Sequence, residues 1–210
     1  KAVAVYGFGV EGQSAVDFLK PLARSITVFD SKKGSPHASV DSVRERADGV
    51  EFRFGKDPDT LSGYDLVIRS PGVHPNAAVL QRARAEGIAV TSTTQVFMDL
   101  CPCPVVGVTG TKGKGTTATL IFEMLRTQGR DVYLGGNIGV SPLTFLPVLK
   151  TTSIAVLELS SFQLIDLTKS PNIAVVLMVT KEHMDYHANR DEYRDAKQRI
   201  LRFQTQHDFA

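Results

Sequence analysis

Apolar and polar positions along this chain switch repeatedly between two periods. Ala2-Val-Ala-Val-Tyr6 is an unbroken apolar run, the pattern of a strand covered on both faces. Gly7-Phe-Gly-Val-Glu-Gly12 then makes a tight turn. Residues 13–22 follow with apolar side chains at Ala15, Val16, Phe18, Leu19 and Leu22, close to helical spacing. Ser25 to Phe29 reads as the next strand, ended by Asp30. Val50 to Phe54, Tyr64 to Ile68 and Ile88 to Val90 read as further short strands, and Pro75 to Glu86 as a helix. Strands alternating with helices predict an α/β fold with a parallel, Rossmann-like sheet. This first unit is expected to fill residues 1–92.

A connection over Thr93 to Pro104 carries a short helix from Gln95 to Leu100, and its prolines at 102 and 104 favour extended chain. The pattern then starts again. Val105 to Val108 is a strand running into a glycine loop, and a helix is expected from about Thr116 to Thr127. Ile154 to Leu157 and Ile173 to Val179 are apolar enough for central parallel strands. A closing helix spans Arg190 to Phe203, with Asn189 as its N-cap and Glu192 at the third helical position. About three strands make a small sheet, so this second unit, residues 93–210, is expected to be part of a larger domain. The chain opens on Lys1 rather than Met, which leads us to expect residues before it.

Composition narrows the function classes. With 42% apolar residues and a formal net charge of +2, the chain has no basic block for a nucleic acid or a membrane surface. Its longest apolar run, Ile173 to Val179, is far short of the roughly 20 residues that span a bilayer. Cys101 and Cys103 stand in C-P-C without a second Cys/His pair, which fits reduced thiols in a cytoplasm better than a metal site.

The candidate chemistry lies in the turns. Gly7, Gly9 and Gly12 match G-x-G-x-x-G between strand and helix, and Asp30 stands eighteen residues beyond Gly12, where an acidic side chain would meet a ribose. NAD, another nucleoside diphosphate, or a bare turn all fit this much. The second loop is denser: Gly107, Gly110, Gly113 and Gly115 enclose Lys112 and Lys114, with Thr109, Thr111, Thr116 and Thr117 as hydroxyls. Successive N–H groups there form an anion nest, and Lys114 supplies a point charge for a phosphate. The spelling departs from G-x-x-x-x-G-K-[ST], because Gly115 follows the lysine.

Polar groups also gather where later strands end. Glu158 closes one strand, at the edge where open α/β sheets place ligands. A magnesium ion held through phosphates needs one or two such carboxylates. His183, Asp185 and His187 alternate after the last strand, as metal ligands or as surface residues. The local pattern of Lys197 is that of a solvated helix lysine.

Taken together, these segments resemble the Mur ligase family. Gly110-Thr-Lys-Gly-Lys-Gly-Thr116 is similar to the family's G-T-N-G-K signature, and Gly135-Gly-Asn137-Ile-Gly139 to its substrate-phosphate turn. Leu157-Glu-Leu-Ser-Ser-Phe-Gln-Leu164, Glu182-His-Met-Asp185 and Tyr193-Arg-Asp-Ala-Lys197 resemble the D-glutamate-adding branch. The resemblance implies a P-loop-type ATPase domain after the first unit, and a monomeric cytoplasmic enzyme using ATP and Mg²⁺. The reaction implied is the joining of D-glutamate to UDP-N-acetylmuramoyl-L-alanine through an acyl phosphate. It implies a role in ATP binding for Gly110, Thr111, Lys112, Gly113, Lys114, Gly115, Thr116 and Thr117. Glu158, His183 and carbamylated Lys197 become metal-side groups, and together with Lys114 they are the catalytic set. Gly9, Val10, Glu11, Asp30, Ser31, Lys32, Ser70 and Gly72 fall on the UDP side, with Asn137, Ser160 and Gln163 on the rest of that substrate. Glu11 stands where a smaller polar residue is common, and Lys112 where the family has Asn. Gly115 matches folylpolyglutamate synthase better, which keeps that ligase as an alternative, beside a substrate-binding fragment without catalysis. Family members continue into a third domain, so this chain alone is expected to be inactive.

With Gly115 lacking a hydroxyl, Thr116 becomes the candidate on the metal side. In the complete enzyme, Thr116→Ala is expected to raise the Mg²⁺ concentration needed for half-maximal activity, and Thr117→Ala to raise it less. Equal effects would place the loop in another register.

Overall fold

Short runs of Val, Ile and Phe form the first sheet of the computed structural model, which describes residues 1–32, 49–180 and 182–210. Its strands are β1 (Ala2–Tyr6), β2 (Ser25–Asp30), β3 (Val50–Phe54), β4 (Leu66–Arg69) and β5 (Ala89–Ser92), in the order β3-β2-β1-β4-β5. Every pairing is parallel. The central strand β1 is buried along its whole length, as its continuous apolar run requires. Helices α1 (Val10–Leu19) and α2 (Ala78–Ala85) belong to this unit, Lys1–Thr93. Ala4, Tyr6, Phe29, Val67, Val79 and Leu80 meet in one of its core clusters.

The α1 helix begins inside the glycine turn rather than after it. Gly9 is its N-cap, and Gly12 lies in its first turn. The reason is steric. A Cβ on Gly12 would stand 2.0 Å from the Gly7 carbonyl oxygen and 3.0 Å from Ser70 Oγ, so only glycine lets helix and turn approach this closely. Leu22, expected on the helix's apolar face, falls beyond its end and is 66% exposed.

The second unit, Thr94–Ala210, repeats the architecture. Strands β6 (Val105–Thr109), β7 (Val132–Gly136), β8 (Ile154–Glu158) and β9 (Ile173–Val176) run parallel in the order β7-β8-β6-β9. The sheet therefore has four described strands instead of about three. The missed one, β7, ends in Gly135-Gly136, and that glycine pair hides a strand in a sequence reading. Strand β9 is not central: it stops at Val176 and borders only β6 among the described strands, with Ile173 and Val176 exposed. Helix α3 (Thr93–Leu100) leads into this unit. Within it, α4 (Lys114–Thr127) follows the glycine loop, and one-turn helices α5 (Pro142–Phe145) and α6 (Ser161–Leu164) follow β7 and β8. Helix α7 (Arg190–Arg202) closes the chain, and Asn189 Oδ1 accepts the Glu192 N–H as its cap. No helix among the described residues is long and apolar enough to cross a membrane.

The crowding at Gly12 gives a contrast. Gly12→Ala is expected to destabilise the first unit by roughly 1–3 kcal/mol through overpacking. Gly9→Ala, whose new methyl meets nothing within 4 Å, should fold nearly as well as wild type. Denaturant unfolding of both variants checks this, and equal losses would contradict the packing argument.

Candidate functional site

In the first unit, the ends of β1, β2 and β4 converge on the glycine turn. Asp30 does not hang free at the end of β2. Its Oδ2 accepts the Phe8 N–H at 2.7 Å and its Oδ1 the Lys32 N–H at 2.9 Å, so the carboxylate braces the turn. Ser70 Oγ donates to the Gly7 carbonyl at 2.6 Å. Gly9 and Gly72 face open space, and Val10, Ser31 and Lys32 are exposed, while Glu11 is half-buried in the first turn of α1. Sequence reading passed over Arg69. It is fully buried, and its Nη1 donates to the carbonyls of Ser70 at 3.3 Å and Val73 at 3.0 Å, which holds the Ser70-Pro-Gly-Val73 loop in shape. An arginine closing an apolar strand gives no such signal by itself.

The second unit builds a tighter site at the C-terminal edge of its sheet. A pocket of about 120 Å³ is lined by Lys114, Asn137, Ser160, Ser161, Phe162, Glu182, His183 and Lys197. The glycine loop forms one wall. Gly110 and Gly113 both have positive φ, and Gly113 is the N-cap of α4. Lys114 Nζ folds back to the Thr111 carbonyl at 3.0 Å. Thr111 is buried, with Oγ1 accepting the Thr180 N–H at 2.8 Å and lying 3.0 Å from Tyr193 Oη. Its side chain ties the loop to Tyr193 and to the segment after β9. Lys112 is exposed and 3.5 Å from Glu182. Thr116 is exposed and Thr117 half-buried, and neither lines the pocket.

At position 115 the loop runs close to a carboxylate. A Cβ on Gly115 would stand 3.0 Å from Glu158 Oε2, so the carboxylate occupies the space beside the loop. Glu158 is 7% exposed at the end of β8, and its Oε1 accepts the Asn137 Nδ2–H at 2.8 Å. Asn137 is placed in turn by Gly136, whose φ of +95° and missing Cβ let β7 end against the Glu158 backbone. Ser160 reaches the pocket as the N-cap of α6. Its partner in the capping box, Gln163, is 2% exposed, accepts from Ser160 N and Oγ, and does not line the pocket.

His183 holds its place at a φ of +57°, an uncommon backbone state for a residue with a side chain. Its ring packs on Phe162 at 4.9 Å, and its Nε2 lies 3.6 Å from Glu182 Oε2. His187 goes elsewhere: it is buried among Phe162, Tyr186 and Tyr193. The alternation of 183, 185 and 187 therefore does not make one ligand set. No group of three His, Cys, Asp or Glu side chains is preassembled around a metal among the described residues. Lys181, which opens that segment, lies outside the described residues.

The reading of Lys197 as a solvated helix lysine is overturned. The side chain is 3% exposed, with Nζ donating to the Gly110 carbonyl at 2.8 Å and lying over the Tyr193 ring at 4.9 Å. Burial, followed by the neighbouring charge of Lys114, pushes its amine down to about 8, against an opposite pull from Glu182 and Glu158. Between about pH 8 and 10.5 the unfolded chain thus binds more protons than the folded one, so this lysine makes stability rise with pH in that window. Lys197→Met is expected to abolish the rise and to be the more stable form below pH 8. Denaturant unfolding at pH 7, 8, 9 and 10 compares the two, and parallel curves would contradict a buried amine.

Comparison with known proteins agrees with this geometry. The family model of the Mur ligase MurD-like N-terminal domain matches residues 1–92, and that of the Mur ligase middle domain residues 108–210. A UDP-N-acetylmuramoylalanine–D-glutamate ligase of Acetivibrio thermocellus is 40% identical over 99% of this chain and 45% of its own length. That of Clostridium tetani is 37% identical with the same coverage. The chain thus spans under half the length of these curated relatives. Among solved structures, the UDP-N-acetylmuramate:L-alanyl-gamma-D-glutamyl-meso-diaminopimelate ligase of Neisseria meningitides shares the fold. Its TM-score is 0.60 at 18% identity, over 96% of this chain and 68% of that one. The UDP-N-acetylmuramate–alanine ligase of Thermotoga maritima gives 0.56 at 19% identity, over 96% and 47%. With one sheet matched by the N-terminal model and the other by the middle-domain model, the chain belongs to the Mur ligase family.

Proposed function

We propose that the protein carrying this chain is a cytoplasmic, ATP-dependent acid–amino-acid ligase of peptidoglycan precursor synthesis. It joins UDP-N-acetylmuramoyl-L-alanine to D-glutamate. The observation that carries the reading is the convergence of Lys114, His183 and Lys197 on one pocket beside an anion-binding loop, with the Glu158 carboxylate held against that loop. The names of the curated relatives supply the substrates.

A carboxylate is a poor acyl donor until one of its oxygens becomes a good leaving group. Phosphorylation by ATP makes it one, and the amine then displaces phosphate. The protein's task is to hold two anions together and offset their charge. The loop from Gly110 to Thr117 cradles the phosphates, with Lys114 as the cation nearest the transferring group. Domain 1–92 takes the UDP moiety at Gly9 to Glu11, Asp30 to Lys32, Ser70 and Gly72. Domain 93–210 takes ATP and, through Asn137 and Ser160, the remainder of the substrate, with Gln163 holding Ser160 in place.

Glu158 and His183 fit a hard cation held mainly by phosphate oxygens and water, because Glu158 Oε2 is turned toward the loop while Asn137 engages Oε1. Thr116 is the proposed metal-side hydroxyl of the loop. Mg²⁺ there would offset charge on the phosphoryl group. Lys197, whose amine sheds its proton near pH 8, suits addition to carbon dioxide with loss of a proton, giving an anion on the metal side.

Full-length protein with ATP, Mg²⁺ and UDP-N-acetylmuramoyl-L-alanine is expected to release phosphate only when D-glutamate is added. Release with a folate and L-glutamate instead would overturn this choice of substrate.

A further inference from the structure

Ser161 has no part in the roles assigned above, yet it opens onto the pocket although 99% of it is covered, its exposure being 1%. It is the first residue of α6. Its Oγ lies 2.9 Å from His187 Nε2, and His187 Nδ1 lies 3.4 Å from Glu192 Oε2. The turn after β8, the loop after β9 and the first turn of α7 thus bring a serine, a histidine and a carboxylate side by side. Glu192 is itself anchored, since the same Oε2 accepts the Ala188 N–H at 2.8 Å. Packing of the imidazole against Tyr186 at 5.1 Å and Tyr193 at 5.3 Å fixes the plane of the ring.

This order determines which way the hydroxyl points. A carboxylate beside Nδ1 favours the tautomer with its proton on that nitrogen, which leaves Nε2 as an acceptor. Ser161 then donates its proton to His187, which leaves its oxygen able to accept. Lys114 supplies the pocket with a cation for anions. Glu182, on the pocket wall, lies 3.5 Å from Lys112 and 3.6 Å from His183, so cationic or donor groups already face its carboxylate. An amine nucleophile needs an acceptor for an N–H so that its lone pair points at the acyl carbon.

Resting on the ligase reading, we propose that Ser161 Oγ accepts an N–H of the attacking amine, with His187 and Glu192 as positioning residues that leave its oxygen able to accept. In that step a C–N bond forms and the C–O bond to phosphate breaks. The leaving phosphate takes the electron pair, and the proton lost from the amine ends on that phosphate. Ser161 is not consumed.

The test separates the two half-reactions in the full-length protein. Acyl phosphate made without amine is trapped by borohydride reduction, and amide formation is followed after adding D-glutamate. Ser161→Ala is expected to slow the amine-dependent step about ten-fold more than acyl phosphate formation, the scale of one lost hydrogen bond. Glu192→Gln should act in the same direction with the fold kept, as thermal unfolding would report. The double variant should be no slower than Ser161→Ala, because both act through one contact. Equal slowing of both half-reactions, additive losses in the double variant, or a covalent acyl adduct on Ser161 would each overturn the assignment. Absence of acyl phosphate from wild type would overturn the ligase reading and this assignment with it.

Discussion

The amine of Lys197 sits under protein, 2.8 Å from the Gly110 carbonyl, and much of the second unit is arranged around that contact. A buried ammonium needs acceptors and some relief from desolvation. Helix α7 delivers the side chain from the end of the chain to the mouth of β6. The Tyr193 ring lies beneath the amine, and its hydroxyl continues to Thr111, which accepts the Thr180 N–H. One lysine therefore joins the glycine loop, the closing helix and the segment after β9. The same burial that makes the amine unfavourable as a cation favours its neutral form.

Close backbone approach is the second constraint, and it recurs in both sheets. In the first unit Gly12 lies against the Gly7 carbonyl, and in the second Gly136 lies against the Glu158 backbone. Neither position has room for a methyl group. Each approach gathers polar groups at a strand's C-terminal end: Ser70 and Asp30 around one turn, Asn137 and Glu158 around the other. Gly115 extends the principle to chemistry, since the space a side chain would fill beside it belongs to the Glu158 carboxylate.

Most strands were legible because buried parallel strands are continuous apolar runs. Val105–Thr109 and Ile154–Glu158 announce themselves, as does Ala2–Tyr6. Strand β7 was not legible, because Gly135 and Gly136 remove the pattern where the backbone must pass close to β8. The edge position of β9 was equally hidden, since Ile173 to Val179 reads as central although its first residue is exposed. Of the candidate site, the glycine loop and Glu158 could be read from spacing. Arg69, Ser161 and Glu182 could not, because each looks ordinary among its sequence neighbours.

Local order determined the elements, the two glycine turns and the residues able to carry charge at strand ends. Those follow from periodicity, from steric rules for glycine, and from which side chains ionise. Only the tertiary structure decided what each charged or polar group faces. Lys197 is buried rather than solvated, Asp30 braces the glycine turn, and His187 joins Ser161 and Glu192 rather than His183. Partners such as Lys197 and Gly110 are separated by 87 positions along the chain, and nothing in either neighbourhood encodes the meeting. Burial and hydrogen-bond geometry come from the fold as a whole, and they turn a common residue type into a functional group.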